Sequence, residues 1–124
     1  MVDENILNKI CYYTNNEIFF DIPTFKEHIT DGNCVIIMQY IINIANEILK
    51  SYNDYIVNIN VTSLKLLDLE KYLKCIQLFN IMSIPISTQL NTCNIYNASN
   101  TFKLIINGVK MFTSKQTRGK VKII

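Results

Sequence analysis

The stretch from residue 92 to residue 124, TCNIYNASNTFKLIINGVKMFTSKQTRGKVKII, decides the fold. Its opening residues, 92–97, predict a β-strand. Apolar residues then recur every three or four positions from Phe102 to Phe112, which predicts an amphipathic helix. A short helical turn over 114–118 ends at Gly119, and the alternating tail 120–124 predicts a further strand. A strand, a helix and a strand in this order form a unit in which the two strands run parallel.

The same alternation of strands and helices extends upstream. Strands are predicted at 17–22 and 54–61, and the spacing of Thr24 and Glu27 is that of a capping box at a helix start. Asp31-Gly32 either interrupts this helix or begins a second one, which runs to about Lys50. The helical period there is carried by isoleucines, namely Ile37, Ile41, Ile44 and Ile48. Asp68 is predicted to cap the next helix, and Pro85 closes that region. Residues 3–13 fit a helix or a strand equally well.

The predicted fold class is therefore α/β, with a small, mainly parallel sheet in β-α-β-α-β-α-β order and helices packed on it. The 124 residues are enough for one domain, 1–124, in which residues 1–16 form an N-terminal extension of uncertain structure. Only three glycines and two prolines are present, so long elements are favoured over a many-stranded sandwich.

The composition offers little for catalysis. The single histidine, His28, excludes multi-histidine metal sites, and no phosphate-binding glycine loop or nucleophile motif is present. We expect no enzyme activity, catalytic residue, metal or cofactor.

The cysteines lie at least 18 residues apart and form no CxxC pair; they are Cys11, Cys34, Cys75 and Cys93. Spacing does not exclude a disulfide, but reduced and mostly buried thiols are expected, as in the cytosol.

Charge is distributed unevenly along the chain. Residues 1–70 hold ten acidic and four basic residues, giving −6, whereas residues 71–124 hold eight basic residues and no acid, giving +8. The basic half can attract an anionic lipid surface, or it can simply keep the protein soluble. Nucleic acid is not the expected partner, because aromatic residues are not interleaved with these charges.

No secretory leader is expected at the start, and the apolar stretch 35–49 is interrupted by polar residues, so a cytoplasmic protein is predicted. The 22 isoleucines and 16 asparagines are typical of an AT-rich genome, such as that of a large DNA virus or an AT-rich protist.

Residues 94–102 and 109–121 resemble the CRAL-TRIO lipid-binding domain. That family shows a strand ending in Y-I-x-N-A-P-x-x-F, then a helix, then K-P-F-L-x-x-K-T-R-x-K-I before another strand. The matching positions are Tyr96, Asn97, Ala98, Phe102, Lys110, Phe112, Lys115, Thr117, Arg118 and Lys120. Residues 56–64 look like the family's earlier strand, and the resemblance covers roughly residues 17–124.

The resemblance implies a lipid pocket between sheet and helices. The implied pocket candidates are Val57, Ile59, Ile95, Asn97, Phe102 and Ile106, and the candidates for contact with a lipid headgroup or anionic surface are Lys110, Lys115, Arg118, Lys120 and Lys122. The family's C-terminal gating element is expected to be missing.

Two functions follow as expectations. The first is non-enzymatic binding of a small hydrophobic lipid or phosphoinositide, with transient attachment to membrane surfaces. The second is a protein-interaction or self-associating module, which keeps the fold but has lost the pocket, because an apolar stripe on a helix is also ordinary core.

Overall fold

The computed structural model describes residues 3–104 and 119–124. Five strands form one sheet, and their order in the sheet is the same as their order along the chain. The strands are β1 (Cys11–Thr14), β2 (Glu17–Asp21), β3 (Tyr55–Asn60), β4 (Leu90–Tyr96) and β5 (Val121–Ile123). The pairs β2–β3, β3–β4 and β4–β5 are all parallel, so the predicted, mainly parallel sheet is confirmed.

The N-terminal extension holds both of the structures that its sequence allowed. Residues Glu4–Ile10 form helix α1, capped by the Asp3 carboxylate, which accepts a hydrogen bond from the N–H of Ile6 at 2.9 Å. Strand β1 follows directly and pairs antiparallel with β2 through a tight turn at Asn15 and Asn16. Asn15 has a φ of 55°, a left-handed conformation that asparagine tolerates better than most residues.

The remaining helices cover one side of the sheet. They are α2 (Ile22–His28), α3 (Cys34–Leu49), α4 (Leu66–Lys71) and α5 (Leu73–Met82), followed by a 3₁₀-helix at Ile84–Gln89 and a helical stretch at 100–104. Helix α3 is the one that the isoleucine period predicted, and all four isoleucines of that period are buried. The rest of the predicted helix 102–112, and the turn at 114–118, lie outside the described residues.

Two predicted helix starts are wrong. Helix α2 begins two residues before Thr24, because the Asp21 carboxylate accepts from the N–H of Thr24 at 3.2 Å and Pro23 fits the first turn. Asp68 does not precede its helix; it lies in the first turn of α4 and accepts from the N–H of Lys65 at 2.9 Å. The predicted single helix after Asp68 is also divided at Tyr72 into α4 and α5.

The core lies between the helices and one face of the sheet. Its larger cluster joins α1, α2, α3 and α5 to residues such as Ile18 and Tyr55, and a smaller one joins Phe102 to Cys93 and Ile95. Parallel strands in unreversed order, joined by right-handed crossovers, place their connections on the same side of a sheet. The topology therefore explains why the core is one-sided.

The cysteines form one disulfide. Cys34, at the start of α3, is bonded to Cys75 in α5, with a Cα–Cα distance of 6.1 Å. The expectation of reduced thiols is wrong for this pair, because helix packing brings together residues that are 41 positions apart. It is confirmed for Cys11 and Cys93, which are free and buried.

Candidate functional site

The second face of the sheet, which we call the open face, carries a mixed set of aromatic and polar side chains. Alternation along the paired strands assigns to it Tyr12, Thr14, Glu17, Phe19, Asp21, Ile56, Asn58, Asn60, Thr92, Asn94, Tyr96 and Lys122. In the part of the chain that the structure describes, none of these residues belongs to either hydrophobic core cluster. Parallel sheets are normally covered on both faces, so a face that no described helix covers is a candidate site for a ligand.

Aromatic rings occupy one side of the open face. Tyr12 and Phe19 are neighbours across the β1–β2 pair, and their rings stack with centroids 5.2 Å apart. Tyr12 is 47% exposed. Partial burial is the largest cause that raises the pKa of Tyr96, and the charges of Tyr12 and Asp21 raise it further. Tyr96 lies on the same face, on β4 opposite Asn60.

A row of hydrogen bonds crosses the middle of the open face. The Asn58 side-chain amide donates to Oε1 of Glu17 at 3.3 Å and to the Ile18 carbonyl at 3.4 Å. The Asn94 amide donates to Oδ1 of Asn58 at 3.0 Å, and Lys122 is the register neighbour of Asn94 on β5. The row of hydrogen bonds thus begins at the Glu17 carboxylate and ends at Asn94, next to the strand position of Lys122.

A second polar group lies at the carboxyl ends of the strands. The Asn60 amide donates to Oδ1 of Asp21 at 2.8 Å, and Oδ1 of Asn60 accepts from the Asn97 amide at 3.0 Å and from the Thr62 hydroxyl at 2.6 Å. Burial raises the pKa of Asp21, but hydrogen bonds from Thr24 and Asn60 outweigh this effect and hold the pKa below its usual value.

The structure separates the predicted pocket residues. Ile95 and Phe102 are buried in the smaller core cluster, where Val57 and Ile59 pack against them, all on the helix-covered face. Asn97 is exposed beside Asn60 at the strand ends. Ile106 lies outside the described residues.

The predicted basic residues are also divided. Lys122 is exposed on the open face, whereas the Lys120 ammonium group donates to the Ser87 and Thr88 carbonyls, both at 3.4 Å. Lys110, Lys115 and Arg118 lie outside the described residues.

Sequence reasoning missed the aromatic part of the open face, which consists of Tyr12, Phe19 and Tyr96. One signal for this face was present: Asn58 and Asn60 put polar groups on one side of strand β3, and that side is the open one. Within residues 3–104 and 119–124, no group of three or more His, Cys, Asp or Glu side chains is placed to hold a metal ion. No described helix combines the length and the apolar character required to cross a bilayer.

Comparison with known proteins gives matches among solved structures. A scan against protein-family models finds no match, and a search of curated proteins finds no significant similarity. Among solved structures, the crystal structure of Sfh5 aligns with a TM-score of 0.79 and 13% sequence identity. The alignment covers 99% of this chain and 50% of the Sfh5 chain, so this chain spans half the length of Sfh5.

At 13% identity, the alignment bears on the fold alone. Sfh5 is a Sec14-family CRAL-TRIO protein, and the shared part is a mixed α/β sheet with helices packed on it. The chain therefore has a CRAL-TRIO-like fold, matching that of Sfh5.

Proposed function

We propose that the protein binds an amphiphilic lipid, either a small hydrophobic lipid or a phosphoinositide, on the open face. The observation that carries the proposal is a mainly parallel sheet whose second face, within residues 3–104 and 119–124, contributes no residue to either core cluster. Covering such a face with an apolar ligand removes aromatic and aliphatic surface from water, which is favourable. The CRAL-TRIO-like fold supports the same function, because the family of that name is a lipid-binding one.

The two halves of the open face suit the two ends of such a ligand. Tyr12, Phe19 and Ile56 offer an apolar surface for a tail. Asn94 and Lys122 offer an amide and a positive charge for a phosphate-bearing headgroup. Glu17 and Asp21 lie on β2 beside the aromatic side, so their charge favours placing the headgroup towards β5.

The pocket predicted between sheet and helices remains an alternative site. Val57, Ile59, Ile95 and Phe102 already pack against one another there, so a ligand would have to displace these contacts. The contributions of Ile106, Lys110, Lys115 and Arg118 likewise stay predictions.

Native mass spectrometry tests the proposal directly. The full chain is incubated with vesicles of phosphatidylcholine containing phosphatidylinositol, re-isolated, and weighed intact. Wild type should carry lipid, whereas Ile56→Asp should lose it because the substitution puts a charge under the tail. The matched control is Ile36→Asp, since Ile36 is exposed on α3, away from the sheet. A lipid-free mass for wild type would refute the proposal.

A headgroup experiment separates the two lipid classes. Lys122→Glu should reduce uptake of phosphatidylinositol phosphates more than uptake of phosphatidylcholine. An equal loss for both lipids would mean that Lys122 does not contact the headgroup.

The position of β1 at the edge of the described sheet favours one further candidate function, self-association. β1 is the first strand in the sheet order, and it exposes Tyr12 and Tyr13, which are 47% and 45% accessible. Edge strands pair readily with further strands. Sedimentation at increasing protein concentration tests this function, and a strictly monomeric species throughout would exclude it.

A further inference from the structure

A groove of about 390 Å³ lies on the helix side of the molecule, away from the open face. Residues 29–31, together with Cys34 at the start of α3, form one wall, and the end of α4 with the first turns of α5 forms the other. Both cysteines of the disulfide, Cys34 and Cys75, line the groove, together with Lys71, Lys74 and Asp31. The volume falls within the range of small-molecule sites in proteins.

The two sulfurs of this disulfide occupy different environments. Cys34 is the first residue of the 16-residue helix α3 and is 9% exposed. Cys75 is only half-buried, in a helix that has no buried residue. A thiolate at Cys34 would lie at a helix N-terminus, where negative charge is stabilised, so Cys34 is the better leaving group. An incoming thiolate therefore attacks Cys75.

The charge of the groove selects the incoming thiol. Lys71 and Lys74 contribute two positive charges to the lining, and Asp31 contributes one negative charge. No acidic residue lies in the first turn of α3 to oppose the lysines. A thiol that carries carboxylates is attracted to such a groove, and a cationic thiol is repelled.

We propose that the groove is a thiol–disulfide exchange site for a small anionic thiol, such as a carboxylate-bearing peptide thiol, and that Cys75 is the residue modified. The thiolate forms a bond to Sγ of Cys75, the bond between the two cysteine sulfurs breaks, and Cys34 leaves as a thiolate. A second thiol then attacks the mixed disulfide, which gives the free Cys75 thiol and the oxidised small-molecule disulfide. Two thiols are thereby oxidised and one protein disulfide is reduced.

Exchange at this site would remove the covalent link between α3 and α5. The other two cysteines do not compete, because both are buried. Burial raises the pKa of Cys11 and of Cys93 to about 12, so neither supplies thiolate in the folded protein. The inference is independent of the lipid proposal, since it concerns the opposite side of the sheet.

The first measurement counts thiols in the full chain. The protein is denatured without reductant and alkylated, and two of its four cysteines should react, rising to four after reduction. The folded protein is then treated with glutathione, quenched with an alkylating agent, and mapped by peptide mass spectrometry. The glutathionyl group should be found on Cys75, with the alkyl group on Cys34.

The second measurement tests the lysines. Lys71→Gln/Lys74→Gln should slow the reaction with glutathione by at least about threefold at low salt, and the difference should shrink at high salt. The reaction with cysteamine, a cationic thiol, should not slow. Lys9→Gln/Lys50→Gln is the matched control, because it removes two lysines that do not line the groove.

A third measurement uses Cys34→Ser, which leaves Cys75 as the only thiol of the groove. Oxidised glutathione should modify Cys75 in this variant. Three results would overturn the inference: four reactive cysteines without reduction, a glutathionyl group on Cys34, or an equal slowing by the groove and control substitutions.

Discussion

Two aspartates connect parts of the molecule that are distant in sequence. The Asp68 carboxylate lies 2.8 Å from the Lys26 ammonium group and so joins α4 to α2. Asp21 caps α2 and also accepts from Asn60 on the neighbouring strand. Each carboxylate serves a local backbone donor and a distant side chain at once, so each stabilises both an element and a tertiary contact.

Replacement of Asp68 should change the acid sensitivity of the protein. Burial raises the pKa of Asp68, but the hydrogen bonds from Lys26 and the Lys65 backbone and the charges of both lysines hold it below its ordinary value of 3.8. The unfolded chain therefore binds the proton first, so the stabilisation is complete above about pH 4 and is lost as the pH falls further. Asp68→Asn should flatten the fall in unfolding free energy over that range, measured by urea denaturation.

A double-mutant cycle provides the control. Lys26→Met should also reduce the fall in unfolding free energy at acid pH. The double variant should change this fall little more than either single variant does. Additive effects of the two substitutions would contradict a direct pairing.

The start of α2 shows how neighbouring residues compete to define an element. Asp21 and Thr24 both have N-cap chemistry, and Thr24 has the more familiar sequence signature because Glu27 follows at the right spacing. The structure uses Asp21, whose strand continues directly into the helix. Sequence alone could not rank these two caps, because the end of β2 depends on its pairing with β3.

Substitution of the true cap should cost more than substitution of the apparent one. Asp21→Ala should lower the unfolding free energy by about 1–2 kcal/mol, because the N–H of Thr24 loses its acceptor. Thr24→Ala should cost less, since it removes a side chain that only supports the cap. The two urea midpoints measure this difference, and the reverse order would place the helix start at Thr24.

Helix α3 was predictable because its isoleucine period spans several turns. The break at Tyr72 was not, since the apolar positions continue through it without interruption. Tertiary packing fixes the position of Tyr72, whose ring meets Phe25 edge-on with centroids 5.3 Å apart. The open face was missed for a related reason: alternation defines two faces of a strand, and only the strand order decides which one the helices cover.

Truncation within α3 should distinguish its two sides. Ile37→Ala should cost about 2–5 kcal/mol of unfolding free energy, because Ile37 is fully buried and a cavity remains. Ile36→Ala, one position earlier and 45% exposed, should change it by about 0.5 kcal/mol or less. Similar losses at both positions would contradict the orientation of the helix.

For the molecule as a whole, one disulfide links two of the helices that cover the sheet. The bond closes a loop of 41 residues, and cross-linking a loop of this length restricts the unfolded chain. Sequence spacing did not reveal it, because the contact between α3 and α5 exists only once both helices lie on the sheet.

Reduction should therefore weaken the whole fold. A reducing agent should lower the unfolding free energy of wild type by up to about 4 kcal/mol, measured by denaturation with and without reductant. Cys34→Ala/Cys75→Ala should be insensitive to the reductant. Identical midpoints for wild type under both conditions would show that the bond does not contribute to stability.

The identity between strand order and chain order has a consequence for synthesis on the ribosome. Each new strand emerges after its only earlier neighbour has been made, so the sheet can be extended in one direction as translation proceeds. No strand has to wait for a later segment to be inserted between it and its predecessor. The hairpin of β1 and β2 can act as the template on which this vectorial growth starts.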